Sequence, residues 1–264
     1  IGCEEFIYKE SMENYTTSFL NEIHFLFGIM KIVFTPDWFL TNDVLIEIFS
    51  FGILFIFFLL ALKSYRMGNK TSVFYLGIGF LLIAVAEFAS ILTKFVLYYD
   101  TDFTQEIGRV IVTSNIVNSI DIFYHIGFFF NRFLTLLGLY TIYKIPSEKK
   151  MSKDLFLTIY LIFVAALLSY SLYYIYHLTS LILLIFIVRN YYTVYLKEKL
   201  RSTGILIIAF SLLALGQVIF LLSKLEAVYV TAQTIQLISY IMLLVLIMRI
   251  LQNGKKKKQT GNNI

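Results

Sequence analysis

A chain of 264 residues with 59% hydrophobic and only 15% charged residues has too little polar surface to cover a water-soluble domain of its size. Its single cysteine, Cys3, excludes an intrachain disulfide framework and a cysteine metal centre. The net charge of +5 sits mostly in short segments between apolar runs and in a Lys-rich end, which points to membrane topology and anionic lipid rather than to nucleic acid.

Residues 1–42 begin polar, with Glu4, Glu5, Lys9, Glu10 and Glu13 among aromatics, and become mildly apolar from Phe19. No basic start followed by an unbroken apolar stretch marks a signal peptide. We read an extracytoplasmic segment here, with Phe19 to Ile32 as a helix lying on the membrane surface. Trp38 and Phe39 suit the boundary where aromatic rings anchor a helix end.

Seven apolar segments follow, near 43–63, 72–95, 117–143, 154–172, 174–195, 203–223 and 228–250. A bilayer core about 30 Å thick needs roughly 20 helical residues per crossing, so the expected fold is an all-α, polytopic seven-helix bundle over 43–252. Residues 253–264 read as a disordered basic cytoplasmic tail. Basic residues alternate in the loops: Lys63, Arg66 and Lys70 after the first span, Lys144, Lys149, Lys150 and Lys153 after the third, Lys197, Lys199 and Arg201 after the fifth, and Lys255 to Lys258 after the seventh. Positive loops stay cytoplasmic. The N-terminus is therefore expected outside, the C-terminus inside, and the protein in the cytoplasmic membrane. Lys94, Arg109 and Lys224 fall in the outer loops on this reading.

The second and sixth segments align without a gap. Gly79 to Glu87 lies over Ala209 to Gln217, and Leu92 and Lys94 fall on Leu222 and Lys224. Two three-helix units of one orientation, joined by a single helix that restores it, give a three-plus-one-plus-three plan. Leu155 to Leu168 carries no charge and suits the connector.

Polar residues inside the spans are the candidates for function, because each is costly in hydrocarbon. In the third span Asp121, His125 and Arg132 share one helical face at about 100° per residue. Glu47 in the first span, Glu87 in the second, His177 in the fifth, Gln217 in the sixth, and Gln233 and Gln236 in the seventh lie in the outer half. Together they are expected to line an outward-facing polar pocket for a small ligand or a proton. Asp121 and His125 could contribute to a metal site, but no metal-hydrolase spacing accompanies them, and we expect neither metal nor cofactor. No nucleophile and base pair marks an enzyme.

Seven spans with an outside N-terminus suggest microbial rhodopsins, yet Val230 to Met248 lacks the Lys that carries retinal. The repeat plan is shared with SWEET and Pro-Gln-loop carriers, but the two prolines, Pro36 and Pro146, lie outside the spans. In span count, orientation and short basic turns such as Lys63 to Arg66, the chain resembles seven-transmembrane sensor modules, especially the N-terminal membrane region of some microbial histidine kinases. That resemblance implies a receptor-like function. Gln252 to Ile264 is too short for an output domain, so a separate cytoplasmic partner or membrane subunit is expected. The alternatives are a small-solute or proton-coupled transporter and a structural subunit of a larger complex.

Overall fold

The computed structural model describes residues 36–68, 71–98, 119–145, 155–169, 172–222 and 226–261. The surface helix expected over 19–32 lies outside the described residues. A turn at Asp37–Phe39 leads into α1, Leu40–Gly68; α2 is Thr71–Tyr98, α3 Ser119–Lys144 and α4 Leu155–Leu168. Then come α5, Tyr173–Glu198, α6, Arg201–Leu221, and α7, Glu226–Gly261.

Six of these helices are long and apolar enough to cross a bilayer. The exception is α4, whose 14 residues reach about 21 Å at 1.5 Å per residue. The crossing expected over 154–172 is thus helical over Leu155–Leu168 and turns at Ser169. At the other extreme α7 has 36 residues and continues through the segment read as a tail as far as Gly261. Over the described residues the chain is an all-α bundle of seven helices, and the protein is a multi-pass membrane protein.

The helices pack in a closed order. Helix α1 packs on α2, α2 on α3, α3 on α5, α5 on α6, α6 on α7, and α7 returns to α1, while α4 lies against α3 and α5. Exchanging α1, α2 and α3 with α5, α6 and α7 leaves this order unchanged. The duplication expected from one helix pair therefore extends to the pattern of neighbours.

Residue correspondence strengthens the point. Helix α1 ends at Gly68 and α2 starts at Thr71, whereas α5 ends at Glu198 and α6 starts at Arg201; both hairpins turn at the same place under the offset that carries Gly79 onto Ala209. The buried residues of α5, Ser180, Leu184, Ile187 and Tyr191, fall on Ser50, Leu54, Phe57 and Ala61 of α1, which are buried too. Phe80 and its counterpart Phe210 stack on each other, with centroids 6.4 Å apart and rings 5° from parallel. Equivalent residues that meet lie on the axis relating their units, so this stack marks the pseudo-twofold axis. Around it α1, α2, α3, α5, α6 and α7 share one apolar core containing Leu54, Ile83, Ile142, Leu184 and Leu243. Side chains such as Leu45, Phe55, Leu161 and Ile185 point away from it and give the bundle an apolar exterior suited to lipid.

Within the first unit α2 and α3 approach through small residues. A Cβ on Gly138 would lie 2.7 Å from the Gly79 carbonyl oxygen and 2.6 Å from Ile83, and one on Gly79 would lie 3.1 Å from the Gly138 carbonyl oxygen. Such contacts let backbones touch where the hydrophobic effect gives no preference for helix over lipid. Asn131, on the same turn of α3 as Arg132, donates to the Ala86 carbonyl of α2 at 2.8 Å.

Candidate functional site

Two faces of α1 and α2 converge near the start of α1 and the end of α2. Asp43 and Glu47 are one turn apart on α1, and Ser90 and Lys94 are one turn apart on α2, so each pair projects from a single helical face. Lys94 Nζ lies 2.6 Å from Asp43 Oδ2 and 2.5 Å from Glu47 Oε1. Ser90 donates its hydroxyl to Glu47 Oε1 at 2.9 Å. All four side chains are buried. Helix α7 closes the group, with Tyr229 donating to Asp43 at 3.2 Å and Gln233 Nε2 donating to the Tyr229 oxygen at 3.0 Å.

One turn deeper, Glu87 is held differently. Tyr240 of α7 donates to Glu87 Oε1 at 3.0 Å, and Gln236 Nε2 donates to Tyr240 at 3.3 Å. No cation lies within ion-pair distance of Glu87 among the described residues. The carboxyl groups of the first unit therefore reach across to hydroxyls of the second at two depths, Asp43 to Tyr229 and Glu87 to Tyr240. Two acceptor oxygens in this region, Glu47 Oε2 and Gln233 Oε1, are buried with no hydrogen-bond donor among the described residues. A buried acceptor without a donor bears the full desolvation cost of about 1–3 kcal/mol.

Of the residues singled out from sequence, Glu47, Glu87, Gln233 and Gln236 thus meet in one region between α1, α2 and α7. His177 and Gln217 meet each other elsewhere: His177 Nδ1 is 2.8 Å from Gln217 Oε1, and the imidazole stacks on Phe220 at 5.0 Å. This second pair occupies the positions of Glu47 and Glu87 under the repeat. The same register thus carries two carboxyls in one unit and a neutral pair in the other.

Arg132 is tied to the end of α4. Its Nη1 donates to the Ser169 carbonyl at 2.5 Å and to the Ser169 hydroxyl at 3.0 Å, where α4 terminates. The guanidinium also lies 5.3 Å from the Phe128 ring and 5.7 Å from the Tyr176 ring. A cation at the end of α4 satisfies a carbonyl that the helix leaves unpaired and opposes the negative end of its dipole. His125 is half-buried two turns away on α3. Asp121 belongs to α3, but its side chain lies outside the described set.

Sequence reading missed the centre of the cluster. Lys94 counted among the outer-loop charges, but α2 continues to Tyr98 and buries it at 5% exposure. Asp43, Ser90 and Tyr229 were not singled out either. The signal was present in the two four-residue spacings, Asp43 with Glu47 and Ser90 with Lys94. Among the described residues no three His, Cys, Asp or Glu side chains converge as a metal centre would require.

Compared with known proteins, the chain matches no family model, no curated protein and no solved structure. Its function is argued from the site alone.

Proposed function

We propose that this protein is a membrane sensor whose two three-helix units change their packing when a proton or small ligand engages the outer-half polar cluster. One observation carries the reading: the buried carboxyl Glu87 of the first unit takes its hydrogen bond from Tyr240 of the second. A carboxyl in hydrocarbon without a cation at hand is costly, so its state of charge or occupancy biases the contact between units. A ligand shifts such an equilibrium only through unequal affinity for the two packings. The stacked Phe80 and Phe210 supply a pivot, and the basic inner turns change presentation to a separate cytoplasmic partner.

A transporter is the second reading. The duplicated ring favours it, since paired repeats with a site between them suit alternating access. In that mechanism Glu87 binds and releases its ligand as the units rock.

The test uses the full chain in nanodiscs, with Cys3 replaced by Ser and one reporter cysteine at Thr71, beside the inner turn. A sensor predicts that thiol-labelling rate changes with external pH or ligand and that Glu87→Gln fixes it at one value. Solute uptake into proteoliposomes, lost in the same variant, would favour the carrier. A labelling rate indifferent to both pH and Glu87→Gln, without uptake, would defeat both readings.

A further inference from the structure

The two units provide an internal comparison. Where the first unit has Asp43, Glu47 and Ser90 at its outer end, the second has Tyr173, His177 and Phe220 at the equivalent positions, and there the same helix pair packs through a stacked imidazole and phenyl ring. Helix packing at this register therefore does not require the two carboxyls. Buried ion pairs commonly stabilise no more than apolar residues of the same volume, because the desolvation of both ions offsets their attraction. The acidic version of the site calls for a role that the neutral version lacks.

The atoms present suggest what that role is. Lys94 Nζ meets the Asp43 and Glu47 carboxylates, with the Ser90 and Tyr229 hydroxyls hydrogen-bonded to them. Two further oxygens, Glu47 Oε2 and Gln233 Oε1, have no hydrogen-bond donor among the described residues, on residues 6% exposed. Gln233 belongs to the same network, since its amide nitrogen donates to Tyr229. An ammonium is a compact point charge on a flexible stem, and it holds here the place that a small hard cation would take among oxygen ligands. Two carboxylates and the tethered ammonium leave one negative charge, which a single monovalent cation balances.

We propose that this cluster binds a monovalent cation of the sodium type, in competition with the Lys94 ammonium. Cation entry displaces Lys94 Nζ from Asp43 and Glu47, engages Glu47 Oε2 and Gln233 Oε1, and draws α7 toward α1. The inference names a ligand class for the cluster described above and rests on that reading of it.

Competition gives a prediction of definite sign. Purified full-length protein is equilibrated with radioactive sodium at constant ionic strength, balanced with choline chloride, and binding is read by scintillation proximity. Lys94→Gln removes the tethered competitor and is expected to bind sodium at least tenfold more tightly than the wild type, whereas Glu47→Gln abolishes binding. Sodium, and not choline, should raise the melting temperature of Lys94→Gln. Absence of saturable sodium binding to the wild-type protein up to 100 mM overturns the proposal, and so does weaker binding in Lys94→Gln; if that variant does not fold, the wild-type titration decides alone. A labelling response at Thr71 that survives without sodium binding would sink this inference while leaving the sensor reading intact.

Discussion

At the scale of single residues, Lys94 carries the most weight, because one ammonium serves two buried carboxylates. Removing one member of such a group leaves an uncompensated charge and costs about 3–5 kcal/mol, while replacing all members with apolar residues is often neutral. Lys94→Met is therefore expected to lower the melting temperature sharply in detergent, and the triple change Asp43→Leu, Glu47→Leu, Lys94→Met to recover most of the loss. Arg132 makes a second local prediction. Arg132→Met removes charged hydrogen bonds worth about 1.5–3 kcal/mol each, and amide exchange should accelerate selectively at residues 165–169. Sequence could propose Glu47 and Glu87 because a carboxyl inside a span announces itself by cost. It did not place Lys94 in the cluster, because a charge in the last residues of the 72–95 span reads equally as an outer-loop residue, and only the continuation of the helix to Tyr98 buries it.

At the scale of helices, the apolar runs were legible because twenty residues of hydrocarbon need no tertiary context to be recognised. Boundaries were less so: α2 runs past Lys94, and α4 is regular over 14 residues only. The contact between α2 and α3 depends on Gly79 and Gly138, whose proximity no local pattern reveals. Gly138→Leu should force the helices apart at the Gly79 carbonyl and cost about 1–3 kcal/mol or more, seen as a lower melting temperature. The α5–α6 turn contains an opposite case. Lys199 adopts a left-handed conformation, φ 50°, and closes α5 through its N–H to the Tyr195 carbonyl at 2.8 Å. Glycine tolerates that conformation best, so Lys199→Gly should stabilise the protein by up to about 1 kcal/mol in the same melting assay.

At the scale of the whole molecule, the two three-helix units correspond in packing order and in buried positions, and differ at one end. The sequence revealed the repeat in α2 and α6, where Phe80 and Phe210 must match because they meet on the axis. It concealed the rest: α1 and α5 share burial pattern more than identity, with Ser50 and Ser180 or Leu54 and Leu184 as fixed points among unlike neighbours. The correspondence breaks at one end, where the first unit has carboxyls and the second has His177 with Gln217. On this view the fold is a symmetric scaffold, and the function resides where the symmetry is broken.

The most direct test of that view pairs the wild-type protein with the variant Asp43→Leu, Glu47→Leu, Glu87→Gln, Lys94→Met and follows thiol labelling at Thr71 in nanodiscs as pH and sodium are varied. The account predicts a variant that melts close to the wild type yet labels at one constant rate. A variant that keeps the full labelling response would contradict it, because the charged cluster would then be dispensable to the switch.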